Sequence, residues 1–128
     1  MEQGILQSVT KYHATGDPSA FRIEASLEFG PDFPAFQGHF PGNPILPGIV
    51  QLACVRMLAA RFLETHLFSA ALSNIKFREM VRPGQSVDVY VSATGNDGGW
   101  KVKFEISSSE TPIASGDMRL VLTDELEG

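Results

Sequence analysis

The sequence predicts an α+β fold in which an antiparallel sheet wraps around one long central helix. One observation is a single apolar segment, residues 48–65, that is long enough for a helix and apolar nearly all round. The other is the alternation of apolar and polar residues in 21–29 and through the C-terminal half, which is typical of half-buried strands. In a chain of 128 residues, only a sheet curling around the helix could cover so much apolar surface.

Composition indicates one ordinary globular domain, residues 1–128, with no repeat or linker. Its hydrophobic share is 43% and its charged share is 20%. The net charge of −5 and the lack of a basic run argue against nucleic acid as a partner. A single cysteine, Cys54, excludes an internal disulfide, and no cluster of His, Cys, Asp and Glu has the spacing of a metal site.

The first residues carry neither a basic region nor an apolar stretch of the signal-peptide kind. No apolar run reaches the roughly 18 residues that a membrane span requires. We therefore expect a cytoplasmic protein without a membrane segment.

The elements before the helix are predicted from short patterns. Ile5, Gln7 and Val9 suggest a short first strand, and the polar residues 15–19 suggest a turn. The pattern is clearest in 21–29, where apolar side chains alternate with Arg, Glu and Ser, and the dipeptide Gly30-Pro31 ends this strand.

After the helix the chain is predicted to be almost entirely strand. Strands are expected in 72–81, 87–91, 102–106 and 113–122. Pro83-Gly84 and residues 95–99 and 108–111 are predicted turns. The acidic tail, residues 123–128, is expected to be loose.

The loop that precedes the helix is the candidate functional segment. Three prolines and three glycines fall within residues 38–49, so the backbone has few conformational options there. The loop carries His39 and ends in Pro47-Gly48, which suits the first turn of a helix. It thus delivers a titratable imidazole close to the free N–H groups of a helix start, where acid–base chemistry is plausible.

The spaced string from His39 to Gly48, His-Phe-Pro-Gly-x-Pro-x-x-Pro-Gly, resembles the active-site segment of the 3-hydroxyacyl-acyl-carrier-protein dehydratases of the FabA/FabZ type. It resembles still more closely the small branch of that family associated with aryl polyene pathways. Residues 74–85 resemble the family's later strand-and-turn segment, so the resemblance covers most of the chain. It implies a hot-dog fold and a dimer whose sheets join edge to edge, with active sites at the dimer interface.

The resemblance also implies roles for individual residues. Dehydration needs a base for the C2 proton, an acid for the departing C3 hydroxide and a donor to the thioester oxygen. His39 would be the base, and the backbone N–H of Gly48 would hold the thioester oxygen. The substrate, carried on the phosphopantetheine of an acyl-carrier protein, would contact Phe40, Pro41, Gly42, Pro47, Gln51 and Ala53, and no cofactor or metal is expected.

The sequence departs from the family pattern at the acid. The family has a Glu or Asp fourteen residues after the histidine, and that position here is Ala53. One turn further on, where the family often has glutamine, the residue is Met57. No carboxylate occurs between Asp32 and Glu64, so the acid has not merely shifted along the helix.

Two nearby side chains are weak substitutes for that acid. Gln51 lies about 200° around the helix from Ala53 and cannot act as an acid, although it could position a water. Cys54 is expected to be a core residue with a raised pKa.

Basic residues suggest a docking surface for a carrier protein. Half of the ten Lys and Arg residues lie within positions 56–82, and Arg56, Arg78 and Arg82 are the candidates for carrier docking. Ordinary solvated strand faces would explain the same residues equally well. His13 and His66 are expected to be structural or exposed.

Three functional hypotheses follow. The first is a 3-hydroxyacyl-acyl-carrier-protein dehydratase that uses His39 and Gly48 with an unidentified acid. The second is a non-catalytic hot-dog subunit that binds acyl-carrier protein or pairs with an active relative. The third and least favoured is a hot-dog thioesterase. A homodimer is expected, with a hexamer or a hetero-oligomer as further alternatives.

Overall fold

The computed structural model describes residues 2–36, 42 and 44–122. Within these residues the chain forms two α-helices, a short 3₁₀ turn and six strands. In chain order they are α1 Glu2–Gln7, β1 Val9–Asp17, β2 Ala20–Glu28, the 3₁₀ turn Pro34–Phe36, α2 Gly48–Leu63, β3 Phe68–Phe77, β4 Ser86–Asn96, β5 Gly99–Ser108 and β6 Thr111–Val121.

The strands form one antiparallel sheet in the order β1-β2-β4-β5-β6-β3. The long helix α2 packs against this sheet and contacts β2, β3 and β4. The prediction of an α+β fold built from an antiparallel sheet and one long helix is therefore confirmed. The strand that follows α2 lies at one edge of the sheet, and the N-terminal strand lies at the other.

The alternation seen in the sequence corresponds to the two faces of the sheet. In β2, Phe21, Ile23 and Ala25 are buried, while Arg22 and Glu24 are exposed. The same alternation continues across the sheet, with buried side chains at Val87, Val89, Val91, Val102, Phe104 and Ile106. The burial of these apolar side chains between sheet and helix supplies the main stabilisation of the fold.

The predicted turns are confirmed and are shorter than expected. Asp97 and Gly98 connect β4 to β5 with φ of 50° and 79°, the left-handed geometry of a two-residue hairpin. Ser109 and Glu110 connect β5 to β6 in the same way, with φ of 48° and 69°.

Helix α2 ends two residues earlier than predicted. Glu64 adopts left-handed geometry, with φ of 55°, and its backbone N–H bonds to the carbonyl of Ala60. This arrangement gives a hydrogen bond to a carbonyl at the helix end that would otherwise have no donor within the helix.

The expectation that α2 is buried nearly all round holds for one side of the helix only. The buried side consists of Val50, Gln51, Cys54, Val55, Leu58 and Ala59. On the opposite side, Leu52, Ala53 and Met57 are partly covered and the Ile49 side chain is 77% exposed. The sheet of a single chain therefore covers this side of its central helix only in part, and we refer to it as the open side.

The predicted first strand is wrong. Residues 2–7 form helix α1, and one residue of the three-residue alternation, Ile5, is fully buried. The Ser8 hydroxyl donates to the carbonyl of Gly4 at 2.7 Å and satisfies a carbonyl at the end of the helix. Three alternating residues were too few to distinguish a strand from a short helix with one buried side chain.

The predicted turn at 15–19 is narrower than expected because β1 extends to Asp17. The turn consists of Pro18 and Ser19, and the carboxylate of Asp17 accepts from the Ser19 N–H at 2.8 Å. Most of β1 is exposed on this edge of the sheet, so its sequence shows no alternation to reveal the strand.

Strand β3 begins four residues earlier than predicted and ends at Phe77 rather than Val81. All of its residues are exposed except Ile75, which is half-buried. Its pairing with β6 shifts register between Ser73 and Lys76, where Asn74 has a left-handed φ of 55°. This irregularity is a β-bulge, and the Asn74 amide donates to Asp117 at 2.8 Å.

Among the described helices, none is both long enough and apolar enough to cross a lipid bilayer.

Candidate active site

The start of α2 is fixed by the loop that precedes it. The Leu46 N–H donates to the carbonyl of Val81 at 2.8 Å, which ties the loop to the chain just before β4. Pro47 has extended geometry, and its carbonyl accepts from the N–H groups of Val50 and Gln51 at 3.0 and 3.2 Å. Proline thus sets the direction of the first turn, as the Pro47-Gly48 pair predicted.

The first N–H groups of α2 have the geometry of an anion site. No side chain caps this helix end, and among the described residues the Gly48 N–H has no acceptor. Free N–H groups and the positive end of the helix dipole both favour negative charge at this point. A thioester oxygen that gains negative charge would be stabilised here.

The ring of Phe77 lies directly against the Cα of Gly48. A Cβ built on Gly48 would lie 2.7 Å from the Phe77 Cζ atom and 2.9 and 3.0 Å from the two Cε atoms. Glycine is therefore the residue that the packed ring allows at this position. Phe77 is 48% exposed, so one side of its ring remains accessible beside the helix start.

Phe77 was not among the predicted site residues. Its only sequence signal was its position in 74–85, the second segment that resembles the dehydratases. The contact with Gly48 joins the end of β3 to the start of α2. The sequence pattern of either element alone could not reveal this contact.

Several predicted site residues fall outside the described part of the chain. They are His39, Phe40 and Pro41. The roles assigned to these residues stay predictions. Gly42 is described and exposed, with a φ of 81° that favours glycine, and Pro47 is half-buried.

Ala53 lies on the open side of α2. It shares that side with Ile49, Leu52 and Met57, and like Leu52 and Met57 it is partly buried against the core. Within the described residues, α2 carries no acidic side chain and no cluster of His, Cys, Asp and Glu could hold a metal ion.

Gln51 lies on the opposite, buried side of α2. It is 4% exposed, and its Nε2 donates to the Leu46 carbonyl over a long 3.4 Å. Its Oε1 is buried without a hydrogen-bond partner in the described structure. The sequence correctly predicted that Gln51 and Ala53 face different ways.

The expectation that Cys54 is a core residue is confirmed. Its side chain is 3% exposed, and burial raises the pKa of the thiol to about 12. A thiol with this pKa is neutral at physiological pH and is a poor nucleophile or acid.

The basic residues divide into two groups. Arg56 forms an ion pair with Glu2 at 2.7 Å and also donates to the Leu67 carbonyl, so it ties α1 and the start of β3 to α2. This intramolecular role argues against Arg56 as a carrier-docking residue. Arg78 and Arg82, with Phe77, Glu79 and Met80, instead line a surface depression of about 450 Å³. His13 and His66 are exposed, in agreement with the sequence.

Comparison with known proteins identifies the class to which this fold and site belong. Residues 15–117 match the ApeI-like family, described as ApeI dehydratase, and the chain therefore belongs to that family. The predicted resemblance to the FabA/FabZ-type dehydratases, near their polyene-associated branch, is confirmed.

A curated relative is the 3-hydroxyacyl-[acyl-carrier-protein] dehydratase FabZ of Lactobacillus helveticus. The two are 31% identical over an alignment of 97 residues, and the match covers 70% of this chain. The chain spans 66% of that relative's length, slightly less than two thirds.

Solved structures share the hot-dog fold. The dehydratase heterocomplex ApeI:P from Xenorhabdus doucetiae matches with a TM-score of 0.67 at 20% identity, over 85% of this chain and 94% of the other. A variant of the fluoroacetyl-CoA-specific thioesterase FlK matches with a TM-score of 0.67 at 12% identity, over 84% and 88%. At these identities the likeness establishes the fold alone.

The contact between Gly48 and Phe77 predicts a measurable coupling. Alanine normally stabilises a helix relative to glycine, but in Gly48→Ala the new methyl group must displace the Phe77 ring. We expect Gly48→Ala to be more favourable in a Phe77→Leu background than with Phe77 present, by about 0.5 kcal/mol or more. Urea unfolding of the four proteins of this cycle measures the difference, and strictly additive effects would contradict the contact.

The burial of Cys54 predicts both its reactivity and a pH dependence. The thiol should react with Ellman's reagent only when the protein unfolds. An unfolded cysteine has a pKa of about 8.5, whereas the folded value is raised to about 12. Only the unfolded state therefore loses the proton as pH rises between these values, and the thiol's contribution to stability decreases.

Urea unfolding of the native protein and Cys54→Ala at pH 7, 9 and 10 tests this pH dependence. The stability advantage of the native protein should shrink by up to about 1.4 kcal/mol per pH unit above pH 8.5. Rapid labelling of the folded protein would contradict a buried thiol.

Proposed function

We propose that the chain is a dehydratase-like lyase that acts on 3-hydroxyacyl thioesters carried by an acyl-carrier protein. The observation that carries this proposal is the family match over residues 15–117. The similarity to a FabZ dehydratase supports the choice of substrate class. The open Gly48 N–H supports a site that stabilises negative charge on a thioester oxygen.

The proposed reaction is an elimination. His39 takes the C2 proton, and the C2–H electron pair moves toward the thioester, whose oxygen accepts a hydrogen bond from Gly48. The C2–C3 double bond then forms as the C3–O bond breaks. The departing hydroxide takes a proton from an acid and leaves as water, and His39 passes the C2 proton to that acid directly or through solvent, so that both groups return to their starting states. The products are the 2,3-unsaturated thioester and one water molecule.

Helix α2 has no acidic side chain that could donate the proton to the departing hydroxide. Ala53 occupies the position of the family's carboxylate, and this residue lies on the open side of α2. A second subunit that covers this side could bring a carboxylate to the site. A related hot-dog subunit would supply it in a hetero-oligomer, whereas a homodimer would need another acid.

A non-catalytic subunit is the second candidate function. It would bind acyl-carrier protein, or it would pair with an active hot-dog relative, and it would catalyse no turnover itself. The absence of a carboxylate along α2 favours this alternative. A thioesterase is less favoured, since the likeness to FlK is one of fold and enzymes of that kind commonly use a carboxylate as well.

Substrate and carrier contacts complete the proposal. Phe40, Pro41, Gly42, Pro47 and Ala53 would border the acyl thioester. Arg78 and Arg82 would meet the acidic carrier, since both line the depression that also contains Phe77, the residue packed against Gly48. The reaction as proposed uses no metal or redox cofactor.

A dehydration assay with a 3-hydroxyacyl-carrier protein tests the proposal on the native chain, His39→Ala and Ala53→Glu. If the chain is an enzyme, His39→Ala should lower turnover by about 10²–10⁴-fold. If it is a subunit without its acid, the native chain should be inactive and Ala53→Glu should gain turnover. Inactivity of all three, alone and with a co-expressed hot-dog relative, would contradict a dehydratase.

The exposed edge of the sheet predicts association. Strand β3 pairs with β6 on one side only, so its outer edge has no neighbouring strand among the described residues, and its Phe68, Leu72 and Phe77 side chains are 42%, 49% and 48% exposed. Leu72→Lys should therefore weaken self-association or hetero-association by at least tenfold. Tyr90→Lys, on the outer face at 44% exposure, is the matched control. Analytical ultracentrifugation of both variants measures the effect, and equal association would exclude β3 from the interface.

A further inference from the structure

The outer face of the sheet, which points away from α2, carries charged side chains in two adjacent rows. The basic row consists of exposed register partners in β2, β4 and β5: Arg22, Ser92 and Lys103. The acidic row lies two residues away on the same strands and consists of Glu24, Tyr90 and Glu105, which are also exposed. The two rows are therefore about 7 Å apart along the strands.

Most of these charges are not neutralised within the described part of the chain. Lys103 lies 3.6 Å from Asp117, but its side chain is 72% exposed. Arg22, Glu24 and Glu105 form no ion pair with another described residue. Single exposed charges of this kind are ordinary on a solvated face. Their arrangement in two rows of opposite sign is what indicates a partner.

The arrangement of the two rows is self-complementary. Two copies of the chain can stack their outer faces about a two-fold axis that runs between the rows and across the strands. This axis places the basic row of each copy on the acidic row of the other. Arg22 then meets the partner's Glu24, and Lys103 meets the partner's Glu105. Each pair occurs twice, because the contact is symmetric.

The neighbouring rows of the outer face agree with the same axis. Asp17 lies beyond the basic row and Lys11 beyond the acidic row, both on β1, so the axis brings these opposite charges together. Lys101, also beyond the basic row, meets the uncharged Ser107. Across the outward positions of β1, β2, β4, β5 and β6 in these four rows, the axis opposes no two like charges.

The shape of the face also suits a second copy. Both rows line a surface depression of about 510 Å³. At its centre, Tyr90 is 44% exposed and lies opposite the partner's Ser92, whose small side chain leaves space for an aromatic ring. Packed sheets lie about 10 Å apart with their strands within about 30° of each other, which keeps rows near the centre in contact.

We propose that the outer face of the sheet is an interface between two copies of this chain. Tyr90 lies at its centre, and the pairs Arg22–Glu24 and Lys103–Glu105 lie on either side. Exposed ion pairs contribute little individually, so the association is weak and depends on salt.

This interface leaves the candidate active site accessible. Helix α2 and the Gly48 N–H lie on the other side of the sheet, and the outer edge of β3 remains available for a separate contact. Two assemblies joined through β3 could therefore stack back to back. The inference does not depend on the proposed reaction, and its test uses no activity measurement.

Reversing one charge in each row tests the contact. In Arg22→Glu or Glu24→Arg, two copies of the same variant oppose like charges, so association through this face should weaken by about tenfold or more. An equimolar mixture of the two variants restores opposite charges across the contact and should regain native association. Both variants keep a net negative charge, because the native charge is −5 and each reversal changes it by two. General attraction would therefore not explain the recovery.

Sedimentation velocity at about 0.1 M salt, with protein up to about 1 mM, measures the association. Asp32→Arg is the matched control and should behave like the native chain. It makes the same charge change as Glu24→Arg at an exposed residue outside the rows. At about 1 M salt the Debye length is about 3 Å, so the contact should be lost. The comparison of Leu72→Lys with Tyr90→Lys then reports on β3 alone.

Loss of association in each single variant with recovery in the mixture supports the interface. Association that neither reversal changes would lie on another surface and overturns the proposal. Loss in both variants without recovery in the mixture also overturns it, because the rows would not then oppose each other. A native chain without salt-sensitive association overturns it as well and would leave the face to a different kind of partner.

Discussion

The packing of Phe77 against Gly48 is the contact on which the candidate site depends. It joins the end of the edge strand β3 to the first residue of α2, and it leaves no space for a side chain at position 48. The bond from Leu46 to Val81 holds the loop four residues beyond the same strand. The helix start is thus held between its own loop and the chain that leaves β3. These contacts hold the Gly48 N–H in one place, as stabilisation of a developing charge would require.

One helix and one sheet do not bury all the apolar surface of this chain. The sheet covers the side of α2 that contains Val55 and Leu58, and the side with Ile49 and Ala53 remains open. The open side includes Ala53, the position to which the sequence resemblance assigns an acid. Under the proposed function, the side of α2 that the chain's own sheet covers least is therefore also the side where the acid would have to be supplied.

The sequence predicted most of the architecture because its strongest patterns come from burial. Contacts with a single core produce the alternation in β2, β4 and β5 and the long apolar segment of α2. Each of these patterns can be recognised within one short stretch of sequence. The edge strand β1 and the start of β3 were missed because exposed strands have no buried face to generate a pattern. In the site, Gly48 could be predicted from the motif. Phe77 and the unpaired Gln51 oxygen could not, since each depends on a contact between separate elements.

The β-bulge in β3 determines which side chain reaches the helix. Ser73 pairs with the outward-facing Asp117, and strict alternation from there would turn Lys76 inward and Phe77 outward. The extra residue at the bulge reverses this, so Lys76 pairs with Ser115 and Phe77 pairs with the buried Ala114. Without it, an ammonium group rather than an aromatic ring would sit beside the helix start. The contact between the Phe77 ring and Gly48 therefore depends on one extra residue in β3, next to Asn74 with its left-handed backbone.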